Sequence, residues 1–188
     1  MKPSKPPPDP RGGHVRLYWD MLDSAAWNCL TAGDQRTYVA LVRALRKTNN
    51  GDLSLPLSRA RHSQISSPTT LAKSLRALVA VGLLCVTRKG GSKKDGTREC
   101  TLYALTDIDV YELPAKYINA RKATNDWRQV KSLDHGRALI VAAEMNAKDE
   151  AAKKRTLHQN LIDTHPINGV VGPKATPKNG ARAARPLQ

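Results

Sequence analysis

Between Ser58 and Leu105 the chain orders its signals in a way that few folds can satisfy. Ser67-Pro68 is a helix start: a hydroxyl able to cap, then a proline at the first helical position, where its missing N–H costs nothing. Leu71, Leu75, Leu78 and Val79 then recur at helical spacing and mark one apolar face. Gly82 follows, a residue free to take the positive φ at which such a helix stops. Ahead of this helix, Arg59 to His62 reads as a shorter one, and Gln64-Ile65-Ser66 as the turn between them, with Ile65 directed into the core. Behind it, Leu83 to Arg88 is a strand-like apolar run and Lys89 to Gly96 a basic, glycine-rich loop. Thr97 to Leu105 then alternates as a second strand, with Arg98, Cys100, Leu102 and Ala104 on one side and Glu99, Thr101, Tyr103 and Leu105 on the other.

Helix, turn, helix, strand, basic loop, strand predicts an α+β fold, mainly α: a winged helix-turn-helix with a small β-sheet wing and flexible basic termini. A helix presented in this way fits the major groove of duplex DNA, and a basic wing beside it reaches phosphate or the minor groove. Lys73 falls nearly opposite the apolar face, with Thr69 and Arg76 on its flanks. Thr69, Thr70 and Lys73 are therefore the expected readers of base edges, and Ser66 and Ser67 the donors to phosphate at the helix start. Arg76 is expected to reach base or backbone, and Arg88, Lys89, Lys93, Lys94 and Arg98 to seat the wing. Each piece alone has a plainer meaning: a leucine stripe is core, a single lysine is a solvated charge, and a glycine loop is a hairpin tip. Their order carries the reading.

The rest of the chain arranges itself around this stretch. Residues 1–13 read as a flexible proline-rich basic tail, 14–112 as the DNA-binding domain, 113–131 as an extension packed on it, 132–165 as a helix and 166–188 as a disordered basic tail. Asp23 or Ser24 can cap a short helix through Trp27, which is expected to anchor the core. Thr31 caps a helix to Lys47 whose apolar face is Tyr38, Leu41, Val42 and Leu45. Arg43, Arg46 and Lys47 at its end either offset the helix dipole or brush phosphates. Asn49 to Asp52 is a turn, and Leu53-Ser54-Leu55 a short strand able to join the wing. Tyr111, Tyr117 and Trp127 are expected to pack the extension onto the domain or to form a homodimer contact. The alanine-rich run from Ser132 to about Leu161 reads as a solvated helix, a dimerising one, or a segment that orders on binding a protein partner.

Composition narrows the classes of partner. The 188 residues hold 31 Lys and Arg against 16 Asp and Glu, a formal charge of +15. Such a surface attracts polyanions, nucleic acid first, with strong salt dependence. Residues 112–188 carry fourteen basic and seven acidic side chains, so the tail is as basic as the domain, and Lys174, Lys178, Arg182 and Arg185 can neutralise phosphates without reading sequence. The three cysteines, Cys29, Cys85 and Cys100, lack metal-ligand spacing and read as reduced core residues of a cytosolic protein. No signal-peptide run or membrane span is legible. No phosphate-binding loop, paired-histidine motif or nucleophile framework is present, so neither a catalytic role nor a cofactor is expected.

The segments "LYWDMLDSAAWNCLTAGDQRTYVALVRAL" and "NNGDLSLPLSRARHSQISSPTTLAKSLRALVAVGLLCVTRKG" resemble winged helix-turn-helix proteins of bacterial mobile elements and prophages, the phage replication-protein-like helix-turn-helix family. The resemblance lies in Asp23-Ser24-Ala25-Ala26-Trp27, in the Asn49-Asn50-Gly51 turn before a Leu-Ser-Leu strand, and in the helix start Ser67-Pro68-Thr69-Thr70-Leu71-Ala72. It extends to Gly82-Leu83-Leu84 leading into the wing and to Trp127, covering roughly residues 14 to 130. It implies binding to double-stranded DNA, in transcriptional regulation or at a replication origin, in the bacterial cytoplasm at the nucleoid. An alternative of another class is a non-catalytic scaffold with loose DNA affinity, whose 132–165 helix recruits a replisome component or another protein. RNA binding lacks stacking positions, since only Tyr103 reads as an exposed aromatic on the wing. A truncation at Val130 would separate the first two.

Overall fold

A computed structural model of the chain describes residues 13–92 and 95–164. Lys93, Lys94, the proline-rich tail through residue 12 and the basic tail from residue 165 lie outside the described residues, and with them the expectations placed there. The chain divides into two units, the first ending at Lys148 and the second beginning at Asp149. The architecture is α+β and mainly helical.

Two short helices come first, α1 (Trp19–Leu22) and α2 (Ala25–Asn28). Ser24, not Asp23, caps α2: its hydroxyl accepts from the Trp27 N–H at 3.2 Å. Val15, Leu17 and Trp19 alternate with polar neighbours, yet no strand forms there: Trp19 opens α1 and is 83% exposed. Helix α3 (Ala32–Ala44) starts on a reciprocal cap, with Thr31 Oγ1 accepting from the Asp34 N–H and the Asp34 carboxylate accepting from the Thr31 N–H. It stops at Ala44, three residues short of Lys47, because side chains take over its last carbonyls: Asn49 donates to Ala44 and Arg46 to Arg43 and Leu45.

The central pair follows. Helix α4 (Leu57–Ala60) continues into a 3-10 turn, Arg61–Ser63, and Gln64 takes a left-handed φ of 62° that turns the chain. Ile65 drops into the core, and Ser67 then caps α5 (Pro68–Ala80), accepting from the Thr70 N–H at 3.4 Å. Leu71, Ser74, Ala77 and Leu78 are buried, while Leu75 and Val79 form a half-buried flank. Gly82, at φ 75°, lets the chain leave α5 directly over the Asp126–Trp127 backbone. A Cβ there would stand 2.7 Å from the Asp126 carbonyl carbon.

Strand β1 (Leu84–Arg88) pairs through a two-residue ribbon, β2 (Gly91–Ser92) with β3 (Arg98–Glu99), and back along β4 (Leu102–Leu105). The β1–β4 register runs Leu84 to Leu105, Cys85 to Ala104 and Val86 to Tyr103, then slips at Thr87, whose hydroxyl donates to the Gly51 carbonyl at 2.6 Å. Leu53 adds a single bridge on the other edge of β4, exchanging both backbone hydrogen bonds with Tyr103. The expected short strand is thus reduced to one residue.

The main core gathers Met21, Trp27, Tyr38, Leu41, Leu53, Leu78, Leu84 and Leu105 between the helices and one face of this sheet. With no phenylalanine in the chain, the Trp27 and Tyr38 rings supply bulk, meeting edge to face with centroids 5.5 Å apart. Trp127 is buried with them. Each such large apolar side chain contributes roughly 1.5–3 kcal/mol. The opposite face of the sheet carries a second cluster, Leu102, Ala104, Val110 and Ile118, against Cys85 and Leu113. This cluster is closed by the bridges Val110–Arg121 and Leu113–Ile118. Packing of the extension therefore rests on Val110, Ile118 and Trp127. Tyr111 and Tyr117 do not pack on the domain as one of the two expectations had it: they are 51% and 90% exposed, Tyr117 in the tight excursion between Leu113 and Ile118 and Tyr111 next to the inward Val110. Cys100 departs likewise from the expected core role; it is exposed, while Cys29 and Cys85 are half-buried.

Helix α6 spans Leu133–Thr164. In the first unit Leu139 and Ile140 pack on the main core, and Gly136 sits so close to Cys29 that a Cβ would come within 2.5 Å of its sulfur. In the second unit the helix is followed to Thr164, and its described side chains are exposed.

Candidate nucleic-acid interface

The start of α5 and the residue pair before it carry an exposed polar strip, because the other side of the helix is committed to the core, the buried Ser74 included. Ser66, Thr69, Thr70 and Lys73 are all exposed there. Ser67 is half-buried, with one lone pair engaged by the Thr70 N–H and its own proton left to donate. The strip is positioned from behind by Ile65, Leu71 and Leu78, which are 4%, 7% and 0% exposed. Long-range packing of α5 against α3 and β1 fixes its axis. These five residues lie at and just before the first turns of α5.

Arg76 does not stand with them. Its Nε donates to Glu144 Oε1 at 2.8 Å and its Nη2 to Oε2 at 3.2 Å, so the guanidinium is turned along the flank of α5 and bound to α6. That corrects its expected reach to base or backbone: both hydrogen-bonding edges of the fork toward Glu144 are occupied. Glu144 is the residue that motif reasoning missed. It brings a negative charge close enough to Lys73 for the lysine to help hold its carboxyl below the usual range, after the larger effect of the Arg76 hydrogen bond. The only sequence signal was a carboxylate four residues before Lys148 in a helix-prone run, which ordinarily means a solvated pair.

On the hairpin, Lys89 and Arg98 are exposed, and Arg98 sits opposite Ser92 in the ribbon. Arg88 is corrected: it is half-buried, its Nη2 lies 3.6 Å from Glu99 Oε1, and its Nε is buried with no hydrogen-bond partner. It belongs to the root of the hairpin, on the side of α3 and α4. Lys93 and Lys94 fall outside the described residues. Tyr103 is not the exposed aromatic expected on the wing; it is half-buried beside Leu75, Val79 and Val86, where burial pushes its phenol up from the ordinary value. Among the described residues no group of His, Cys, Asp or Glu is placed to hold a metal ion, and no helix is long and apolar enough to cross a membrane. The chain matches no family model, no curated protein and no solved structure.

Proposed function

We propose that the chain is a sequence-specific double-stranded DNA-binding protein of the winged helix-turn-helix type. It would serve a bacterial mobile element as a transcriptional regulator or an origin binder. The observation that carries this reading is the exposed strip Ser66, Thr69, Thr70 and Lys73 on a helix anchored through three buried residues and delivered by a left-handed turn at Gln64. Exposed polar side chains at the first turns of a helix packed on its other side can enter the major groove, and hydroxyls at a helix start can donate to phosphate. Lys89 and Arg98 supply hairpin charge to the adjoining backbone. In this reading Thr69, Thr70 and Lys73 touch base edges, Ser66 and Ser67 donate to phosphate, and Arg76 holds α6 in place.

Selection of bound duplexes from random DNA by the full chain, near physiological salt, tests it. Wild type enriches a motif, and Lys73→Ala blurs it at a cost of roughly 1–3 kcal/mol for a lost base contact. Binding without enrichment, vanishing as salt rises, would overturn the reading. It would favour the scaffold alternative, which the exposed Val141 and Met145, one turn apart on α6, support as an apolar stripe for a protein partner or a second copy.

A further inference from the structure

A groove of about 990 Å³ opens at the root of the hairpin, between the end of α3, the α4 region and the extension. Four stretches far apart in sequence converge on it: Arg43 and Arg46 from the end of α3, Arg59 and His62 from α4 and its 3-10 turn, Arg88 from β1, and Lys116 from the extension. Two carboxylates share the lining, and both are engaged: Asp52 with Lys116 at 3.5 Å and Glu99 with Arg88 at 3.6 Å. Arg43, Arg46 and Arg59 have no carboxylate within 4.0 Å among the described residues. Arg46 donates to two backbone carbonyls and Arg59 to one, which leaves their charge uncompensated; among the described residues the Arg43 side chain makes no hydrogen bond.

Three guanidiniums without a carboxylate partner on the lining of one groove repel one another. The carbonyl hydrogen bonds of Arg46 and Arg59 serve the local backbone but do not offset the shared positive charge, which an anion neutralises. The groove is open and polar, so it suits a polymer lying across it better than an enclosed small molecule. Guanidinium forks match phosphate geometry. The groove also shares Arg88 and Glu99 with the hairpin and Arg59 with the helix pair that presents α5. We infer that it holds the phosphodiester backbone of the DNA flanking the segment read by α5, so that the footprint extends past the motif. The inference rests on the reading above for which DNA arrives, and on the groove alone for how it is held.

The test uses the full chain with Arg43→Gln/Arg59→Gln and, beside it, Arg43→Lys/Arg59→Lys. Affinity is measured against salt on two duplexes, one ending at the selected motif and one extended by about one helical turn of roughly 10 bp on each side. Wild type is expected to bind the longer duplex more tightly. The Gln pair should lose that advantage, with a salt slope lower by about 1 for each lost phosphate contact and an unchanged motif. The Lys pair should keep the slope. Melting temperatures near wild type for both variants would show that folding is intact. A Gln pair indistinguishable from wild type on the longer duplex would overturn the inference while leaving the role of α5 standing. If wild type enriches no motif, the same slope measured on any duplex still decides: a fall supports the groove and an unchanged slope overturns it.

Discussion

Arg76 and Glu144 face each other across α5 and α6 in a two-point guanidinium–carboxylate pair, at 2.8 and 3.2 Å. Glu144 is thereby held beside Lys73, the central residue of the exposed strip. Glu144→Gln should therefore raise duplex affinity a few-fold at low salt, an effect that fades as screening grows. Arg76→Gln should leave the selected motif unchanged. An Arg76→Gln motif as blurred as that of Lys73→Ala would show the arginine reading bases after all. The partly exposed pair stabilises α6 by about 0.2–1 kcal/mol. Its pH dependence follows from the lowered carboxyl of Glu144, caused first by the Arg76 hydrogen bond. A depressed folded value contributes stability above the unfolded value of about 4.3, lost as pH falls through the folded one. The docking of α6 should be flat with pH near neutrality and weaken only in acid.

Asn50 is buried at 1% exposure and clips two distant stretches. Its amide donates to the Leu105 and Ile108 carbonyls at 3.0 and 2.8 Å, and its Oδ1 accepts from the Leu105 N–H at 2.8 Å. Asn50→Ala leaves those backbone groups unpaired in the interior and should cost about 1–3 kcal/mol, read by chemical denaturation. A loss below half a kcal/mol would mean that water replaces the amide.

The gap between Asn50 as a turn residue and Asn50 as a clip shows what the sequence could carry. The caps at Ser24, Thr31 and Ser67, the turn at Ile65 and the stop at Gly82 were legible because each depends on a few neighbouring residues and a local backbone need. The partners of Asn50 lie more than fifty residues away, and an Asn-Asn-Gly string looks the same whether its side chains face water or a sheet. For the same reason Arg76 read as a free flank, since the helix that captures it begins at Leu133. Tyr111 and Tyr117 misled because ring size suggests burial, whereas the smaller Val110 and Ile118 alternate onto the sheet. The arginine groove draws on four separated segments and has no sequence period at all.

Asp107 carries a carboxyl raised above its ordinary value, first by burial and then by the nearby Asp20, and its Oδ1 is buried without a hydrogen-bond partner. Here the folded state binds its proton more tightly than the unfolded chain. The penalty is absent below the unfolded value of about 3.9, grows as pH rises through the raised folded value, and is complete above it. Asp107→Asn should therefore melt higher than wild type at pH 7, with the gain shrinking toward pH 4. A gain that is equal at both pH values would assign the effect to packing and not to charge.

Where the chain can be cut follows from α6. Truncation at Val130 removes Leu139 and Ile140 from the main core, the Gly136 seat against Cys29 and the partner of Arg76. A 1–130 fragment should melt well below the full chain, so a loss of DNA binding in it would report unfolding and not the loss of a tail. A 1–148 fragment keeps all three contacts, and the described side chains from Lys148 to Leu157 are exposed. It should melt with the full chain and retain the selected motif, while its affinity at low salt is lower and less salt-dependent: residues 149–188 carry seven basic and three acidic side chains. Loss of phosphate contacts made by those residues lowers affinity for all sequences alike and reduces the salt slope. If 1–148 instead loses the motif while keeping its melting temperature, reading by α5 would depend on the second unit, as a dimer or scaffold built on α6 requires.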